Sequence, residues 1–319
     1  MLILRAKKNS RQLGDFLDRK LALILGYRCN NNCLFCYCAD KKKSLYMSTR
    51  RAKRELKEGF ERGCNIVDFS GGEPTLRKDL PNLVAFAKKL GYETIGITTN
   101  GRMMSYPEIL KRITKAGLNS VVFSVHGDEM IHDFLTRTRG SYSQLVKGIN
   151  NFKKISPDSY VCTNTVITNY NYKKLPAIAE NNIKLGADGC EFIFPHPKGN
   201  SLKNFDTIVP KLEDISCYID KTLDVGKMLE IRHFYFRYFP LCYMSGNEGK
   251  LSEYSTSGIF IEEHVGPDFK DLNVEKGRKE IGRVKGDVCK NCILNDDCEG
   301  IFKEYAKKRG FGELKPVFK

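Results

Sequence analysis

The sequence predicts an α/β fold, a partial (βα)6 TIM-like barrel with a small α+β C-terminal cluster-binding extension. Two observations support this. Between short apolar runs, apolar residues recur at spacings of three and four, as on one face of a helix. The runs themselves are mostly continuous rather than alternating, which is typical of buried parallel strands. These strand-like runs are Leu21–Leu25, Ile66–Phe69, Thr94–Thr98, Ser120–Val125, Tyr160–Ile167 and Gly189–Phe194.

The helical segments between these runs have clear ends. One helical pattern has apolar residues four apart, at Ala52, Leu56 and Phe60. Gly63 follows it at the position of a helix C-cap. Successive βα units imply a parallel sheet, either open or curled toward a barrel. Functional residues in such sheets lie at the carboxyl ends of the strands.

The pattern changes beyond about residue 200. Ile231–Phe239 alternates apolar and basic residues, Ile259–Glu263 resembles a short strand, and Cys298–Lys308 resembles a helix after a Cys-rich loop. We therefore predict an N-terminal segment over residues 1–20, a barrel over 21–205 and a cluster-binding extension over 206–319.

Charge and hydropathy limit the class of protein. Lys and Arg exceed Asp and Glu by 15 among 319 residues. The surplus suggests an anionic partner, such as nucleic acid, an acidic peptide or a phosphorylated small molecule. A solvated basic surface is the alternative. The apolar run at the N-terminus is short, and no stretch approaches the roughly 18 apolar residues of a membrane span. We expect a cytoplasmic protein without a membrane segment.

Cysteine usage points to metal chemistry. The chain has 12 cysteines, and clustered cysteines in a cytosolic protein indicate metal binding or redox chemistry rather than disulfides. Cys29, Cys33 and Cys36 have the spacing CxxxCxxC directly after the first predicted strand. Three thiolates can hold three irons of a cubane cluster and leave the fourth iron open for catalysis. A structural zinc site would more naturally use two CxxC pairs.

This motif resembles the signature of the radical S-adenosylmethionine (SAM) superfamily. The resemblance implies that the open iron binds the amino and carboxylate groups of SAM. An electron from the cluster then breaks the sulfonium C–S bond, giving methionine and a 5′-deoxyadenosyl radical. Phe35 matches the aromatic position that packs near adenine. Cys38 falls outside the pattern and is interpreted as structural or incidental.

A second motif, Ser70-Gly71-Gly72-Glu73-Pro74, follows the second predicted strand. Glycines allow a close backbone approach to a ligand, and a carboxylate accepts from an ammonium group. Taken alone, this sequence is as consistent with a simple turn as with a ligand-binding loop. It is similar to the GGEP motif of the radical SAM family, which implies that Gly71, Gly72 and Glu73 bind the amino group of SAM.

Polar residues follow the other predicted strands. By resemblance, Ser124 and Asn164 would face the SAM carboxylate or ribose. Arg137 or Arg139 could pair with the carboxylate, since a guanidinium binds it through two hydrogen bonds. Ordinary loop polarity is the alternative for each position.

The C-terminal cysteines resemble the auxiliary-cluster domains of the SPASM and twitch type. Cys289, Cys292 and Cys298 have the spacing CxxCx5C, but Phe302 stands where the full SPASM pattern has another cysteine. The resemblance implies one auxiliary [4Fe–4S] cluster, with Cys242 as its fourth ligand. An open fourth iron and a structural zinc site held by four cysteines are the alternatives.

The resemblance implies an oxidoreductase that abstracts a hydrogen atom from a ribosomally made peptide or a protein. The outcome of the reaction would be oxidation, crosslinking or epimerisation. A small-molecule oxidoreductase or cofactor-biosynthesis enzyme and an RNA-modifying enzyme are the alternatives. The electron donor would be a flavodoxin or ferredoxin. Epimerisation needs a free thiol as hydrogen donor, for which Cys217 is the candidate; oxidation through the auxiliary cluster is favoured over it.

Overall fold

The computed structural model describes residues 18–318, and a single curled sheet organises them. Eight parallel strands and one antiparallel strand form this sheet, in the order β7-β6-β5-β4-β3-β2-β1-β8-β9. A two-stranded ribbon, β10–β11, lies apart from it. The strands are β1 Asp18–Ile24, β2 Ile66–Ser70, β3 Thr94–Thr99, β4 Ser120–Ser124, β5 Tyr160–Val166, β6 Gly189–Ile193, β7 His233–Arg237, β8 Phe260–Val265, β9 Lys270–Asp271, β10 Arg283–Val284 and β11 Ile301–Phe302.

Helices connect the strands of the sheet. The helices are α1 Thr49–Glu61, α2 Leu80–Leu90, α3 Pro107–Ala116, α4 Glu129–Thr136, α5 Ser141–Ile155, α6 Leu175–Lys184, α7 Asn200–Lys203, α8 Phe205–Ile208, α9 Leu212–Met228, α10 Ser252–Thr256, α11 Val274–Gly277 and α12 Lys303–Arg309. Pro81, Pro107 and Pro176 lie in the first turns of α2, α3 and α6, where the missing N–H of proline costs nothing.

The sheet curls into an incomplete barrel. Arg237 on β7 reaches Glu262 on β8 at 3.8 Å, although these strands are far apart in the sheet order. The same guanidinium lies 3.6 Å from Glu191 on β6. Side chains from the two ends of the parallel sheet therefore meet across the lumen. The predicted partial TIM-like barrel is confirmed.

The two faces of the strands differ in chemistry. Side chains facing the helices, such as Leu21, Phe69 and Phe123, are apolar and fully buried. Alternate positions face the lumen, where the buried Lys20 and Asp68 are found. The predicted continuous runs are thus strands buried on both faces, and the lumen presents polar groups to whatever binds there.

The C-terminal extension contributes to the barrel sheet itself. Strands β7 and β8 pair in parallel with β6 and β1, so they lengthen the main sheet. The predicted helix over Cys298–Lys308 is shorter than expected, because Gly300 adopts a φ of 82° and Ile301–Phe302 pairs with β10, so α12 begins only at Lys303. The boundaries between the three predicted segments remain a prediction. No helix within residues 18–318 is long and apolar enough to cross a membrane.

Candidate functional site

The CxxxCxxC motif lies on the loop that follows β1. Cys29, Cys33 and Cys36 are all half-buried. Burial raises the pKa of the Cys33 thiol, and the neighbouring Cys36 and Cys29 raise it further, so the three sulfurs are close in space. The Asn31 N–H donates to the Cys29 Sγ at 3.4 Å. The loop therefore groups three thiols at the carboxyl end of the first strand.

Cys38 lies against this group. Its side chain is buried, and its Sγ is 3.6 Å from the Cys36 Sγ. This contact with Cys38 lowers the pKa of the Cys36 thiol to about 7. Cys38 also packs on Ala22, Ile24 and Tyr27, in keeping with the structural role predicted for it.

The two glycines of the GGEP motif are packed against the cysteine loop. The Gly72 N–H donates to the Gly26 carbonyl at 2.8 Å, and the Glu73 N–H donates to the Arg28 carbonyl at 2.8 Å. A Cβ on Gly71 or Gly72 would collide with these carbonyl oxygens. Glycine is therefore required here so that the second loop can lie directly on the first.

Glu73 organises the site from within. Its side chain is 3% exposed, and its carboxylate accepts four hydrogen bonds. Three reach Oε1, from the Thr75 N–H and hydroxyl at 3.0 and 2.5 Å and the Thr99 hydroxyl at 2.8 Å. The Asn100 N–H donates to Oε2 at 2.8 Å. The predicted contact of Glu73 with the SAM amino group stays a prediction, but these bonds already fix the ends of β2 and β3 together.

Asn100 is a site residue that the motif search did not single out. It is 9% exposed, and its Nδ2 donates to Asn30 Oδ1 at 2.7 Å and lies 3.8 Å from the Cys29 Sγ. Arg102 donates to Asn31 Oδ1 at 2.9 Å from the same turn. The signal was available in the sequence, since Thr99-Asn100-Gly101 ends the third strand.

Phe35, Ser124 and Asn164 surround the space above the lumen. The Phe35 ring meets the His126 ring edge-on, with centroids 4.6 Å apart. Ser124 and Asn164 are register partners on β4 and β5, and both are half-buried. Within the described part of the chain, neither side chain hydrogen-bonds to protein. Both remain available to a ligand, as the predicted SAM contacts require.

Behind Phe35 lies a pair of buried imidazoles. His126 and His132 stack with centroids 5.5 Å apart, and the His126 N–H donates to His132 Nδ1 at 3.2 Å. The Val166 N–H donates to His126 Nδ1 at 3.3 Å. Burial lowers the pKa of His126 well below its usual value and lowers the pKa of His132 to about 4. Both rings are therefore neutral at pH 7.

This burial makes stability depend on acidity. In the unfolded chain, His132 binds a proton below about pH 6.5. In the folded protein the pKa of His132 is about 4, so the ring binds a proton only below about pH 4. Stability should therefore fall as pH decreases through this window, by about 2 kcal/mol at pH 5 from His132 alone. Urea unfolding followed by circular dichroism at pH 7 and pH 5 measures the loss. In His132→Gln, the loss of unfolding free energy between pH 7 and pH 5 should be smaller by about 2 kcal/mol. An unchanged loss in this variant would show that His132 does not cause it.

Within the described residues, Arg137 and Arg139 do not contact the other polar residues proposed to bind SAM. Arg137 caps α4 with a left-handed backbone, φ 51°, and both side chains are exposed. They line a surface groove together with Leu34, Phe134 and Tyr170. Within residues 18–318 neither guanidinium contacts Glu73, Ser124 or Asn164. A contact of either with SAM stays a prediction that this arrangement does not support.

The C-terminal cysteines form a second group, and Cys242 is part of it. Burial raises the pKa of the Cys242 thiol to about 11, with further contributions from the neighbouring Cys298, Cys289 and Cys292. Cys242 lies in the short 3-10 turn Leu241–Tyr243 after β7. The four cysteines named from the sequence are therefore neighbours in the fold.

Backbone amides point at these sulfurs. The Leu241 and Gly300 N–H groups donate to the Cys298 Sγ at 3.4 and 3.3 Å, and the Val317 N–H donates to the Cys292 Sγ at 3.3 Å. Hydrogen bonds to sulfur are a principal means by which proteins adjust the potential of an iron–sulfur cluster. The surroundings of this second group therefore suit thiolate ligands.

A series of aromatic rings begins beside the first cysteine group. Tyr37, next to Cys36, is parallel to His196 with centroids 6.4 Å apart, and His196 stacks on Phe302 at 4.3 Å. Phe302 occupies the position where the full SPASM pattern has a cysteine, and the Arg283 guanidinium lies over its face at 3.7 Å. The rings of Tyr37, His196 and Phe302 therefore follow one another, beginning beside Cys36 and ending four residues after Cys298 in the sequence.

Cys217 is exposed on α9. That helix packs on α6 through its opposite face, which includes Ile215 and Ile219, in the outer layer of the barrel. The structure thus places this thiol toward solvent rather than at the barrel mouth. Its role as hydrogen donor stays a prediction without support from this position.

The donor sets fit iron–sulfur clusters by their chemistry. Each consists of cysteines with backbone N–H donors, and no carboxylate in residues 18–318 pairs with the thiols. Across the same residues, no three His, Cys, Asp or Glu side chains stand in a metal-ligating arrangement. The thiols of each group must therefore draw closer together to hold a cluster.

Comparison with known proteins agrees with this geometry. Residues 23–181 match the family description "Radical SAM superfamily". A probable GTP 3′,8-cyclase of Sulfolobus acidocaldarius is 30% identical over 279 residues, covering 87% of this chain and 82% of the relative. The chain belongs to the radical SAM superfamily. Like other radical SAM enzymes, it uses a [4Fe–4S] cluster and SAM as cofactors.

Two further proteins are similar, one over a shorter stretch and one at lower identity. An Fe-coproporphyrin III synthase of Methanosarcina barkeri is 30% identical over 184 residues, 55% of this chain and 45% of that one. The structure of Streptococcus suis SuiB bound to SAM aligns with a TM-score of 0.67 at 18% identity, covering 95% of this chain and 76% of SuiB. The structural likeness shows a shared fold.

Proposed function

We propose that this radical SAM enzyme oxidises a peptide or protein, using a SAM-binding cluster at Cys29, Cys33 and Cys36. A cluster at Cys242, Cys289, Cys292 and Cys298 completes the proposed site. The observation that carries the proposal is the second cysteine group, in which the N–H of Leu241, next to Cys242, donates to the Cys298 Sγ at 3.4 Å. When bound, the first cluster supplies an electron for SAM cleavage and the second supplies an electron acceptor.

The residues around the lumen would position the reactants. Ser124 and Asn164 have free polar atoms for SAM, and the Phe35 ring, held by His126, would bound the adenine pocket. Glu73 and Asn100 hold the loops of β1, β2 and β3 in register. The radical then forms in a fixed position, and the protein's task is to place one C–H bond against it and exclude side reactions.

A peptide substrate is favoured by the second site and by structural similarity. SuiB, which shares the fold over 95% of this chain, has also been solved bound to its precursor peptide SuiA. A radical on a peptide that loses a second electron and a proton yields a product lighter by two hydrogens. The second cysteine group would provide for that loss.

A small-molecule reaction is the second candidate. It is favoured by the similarity to probable GTP 3′,8-cyclases, which extends over 87% of the chain. The relationship covers both the barrel and much of the extension. The alternative would make this enzyme a cyclase or cofactor-biosynthesis enzyme.

One experiment separates these candidates. Reconstituted enzyme, SAM and dithionite are incubated with a peptide from any short Cys- or Gly-rich reading frame beside the gene, or with GTP, in deuterated water. We expect 5′-deoxyadenosine and a peptide lighter by two hydrogens, made equally by Cys217→Ala. Turnover of GTP alone would favour the cyclase. A mass-neutral peptide carrying one deuterium, lost in Cys217→Ala, would instead show epimerisation.

A further inference from the structure

A groove of about 710 Å³ lies on the outer surface beside the cysteine loop. Its walls come from the end of α4, the turn after β5 and the segment around α8. Leu34 lines the groove, between Cys33 and Phe35 in the sequence. Apart from the predicted contact of Arg137 or Arg139 with SAM, no role described above uses this surface.

Adjacent residues of the cysteine loop have different neighbours. Phe35 packs against the buried His126, and the preceding Leu34 faces the groove. The loop is held on both sides, since the Leu34 N–H donates to the Leu135 carbonyl at 2.8 Å and Asn204 Nδ2 donates to the Leu34 carbonyl at 3.0 Å. The groove therefore borders the cysteine loop at Leu34, the residue after Cys33.

The groove is positively charged. Within residues 18–318, Arg137 and Arg139 form no ion pair, although both line it. Asp133 also lines it, and its carboxylate accepts hydrogen bonds from Gly140, Ser141 and Tyr142, so the lining residues carry a net charge of +1, two arginines against one aspartate. Two cations thus remain for an anionic partner.

Exposed apolar side chains lie beside these cations. The Phe134 and Tyr170 rings pair at 4.7 Å, with 48% and 46% of their surface exposed. Met130, one turn before Phe134 on α4, is 82% exposed. Aromatic, Met and Arg side chains are those enriched in protein–protein interfaces.

We propose that this groove, lined by Leu34, Phe134, Arg137, Arg139 and Tyr170, docks an acidic redox protein that reduces the SAM-binding cluster. The donor gives one electron to the cluster; its own cofactor is oxidised by one electron, and no atom or proton needs to cross. Redox encounters use small, transient interfaces steered by charge, which suits a groove of this size. The inference rests on Cys29, Cys33 and Cys36 holding that cluster.

The position favours an electron donor over a substrate. A substrate must reach the radical in the lumen, whereas an electron need only cross the loop. Leu34 lines the groove, whereas the ring of the next residue, Phe35, packs on His126, so a partner in the groove and SAM beside Phe35 would contact different residues of the loop. A reductant bound in the groove would lie against Leu34, the residue after Cys33.

The test uses an acidic flavodoxin and reconstituted enzyme. In Met130→Glu/Tyr170→Glu, two new negative charges flank the groove while the arginines stay intact. We expect the Kd for flavodoxin, measured by titration calorimetry, to rise about tenfold at low salt, and the difference to narrow as salt screens it. Flavodoxin-driven 5′-deoxyadenosine formation should fall at subsaturating flavodoxin, while the dithionite-driven rate stays unchanged.

Met228→Glu/Ile259→Glu is the matched control. These side chains are 68% and 56% exposed and lie at the amino ends of the strands, opposite the groove. This variant should bind flavodoxin like the wild type. Equal binding by both variants would overturn the proposal, as would loss of dithionite-driven peptide turnover in the groove variant, which would assign the groove to substrate. If the wild type makes no 5′-deoxyadenosine with either reductant, the cluster assignment fails. The Kd values of the wild type and the groove variant for flavodoxin then still test whether flavodoxin docks in the groove.

Discussion

Replacing Cys29, Cys33 and Cys36 with Ala should abolish SAM cleavage and remove about four of about eight iron atoms per chain. The three thiols are the ligands proposed for the catalytic cluster, and no other cysteine in residues 18–318 can replace all three. The loop should still fold, because Gly72 and Glu73 hold it through backbone bonds. Iron analysis of anaerobically reconstituted protein and chromatography of 5′-deoxyadenosine measure the two effects.

Cys38→Ala is the matched control for this variant. Cys38 is 3.6 Å from Cys36 but lies outside the CxxxCxxC pattern. Its replacement should leave the iron content at about eight per chain and preserve SAM cleavage. Formation of 5′-deoxyadenosine by the triple variant would refute the assignment of the catalytic cluster.

Replacing Cys242 and Cys298 with Ala should separate SAM cleavage from product formation. We expect about four iron atoms to be lost, since two of four ligands are removed. SAM is still cleaved, because the first site is intact, but the peptide oxidised by two hydrogens should no longer form. Iron content, 5′-deoxyadenosine and peptide mass are measured on the same sample.

Cys217→Ala, at an exposed position on α9, serves as the control here. It should retain all iron and make the oxidised peptide. Metal analysis also addresses the alternative of structural zinc. About one zinc per chain in the wild type, lost in Cys242→Ala/Cys298→Ala without loss of iron, would replace the second cluster with a zinc site.

The sequence predicted the barrel well because its strands carry a strong local signal. All six predicted runs are strands, with ends within three residues, since buried parallel strands are largely apolar. The positions of β7 and β8 in the sheet could not be predicted in this way. Their pairing with β6 and β1 joins residues far apart in the chain, and no local pattern specifies such pairing.

The site was predictable where spacing carries the chemistry. Cys242 lies near enough to Cys289, Cys292 and Cys298 for their charges to raise the pKa of its thiol, while their role as ligands stays a prediction. The hydrogen bonds of Glu73 were not foreseen, because a motif states which residue is present and not which donors surround it. The exposed position of Cys217 was missed for a related reason, since helical spacing alone does not say which face of α9 meets the barrel.

The most direct test of the two-cluster radical SAM site is electron paramagnetic resonance of the reduced protein with and without SAM. Two cluster signals are expected, and SAM should change only one of them. That signal should be missing in the variant lacking Cys29, Cys33 and Cys36, and the unaffected one should be missing in Cys242→Ala/Cys298→Ala. Signals that do not respond to SAM, or a single cluster in the wild type, would contradict the account.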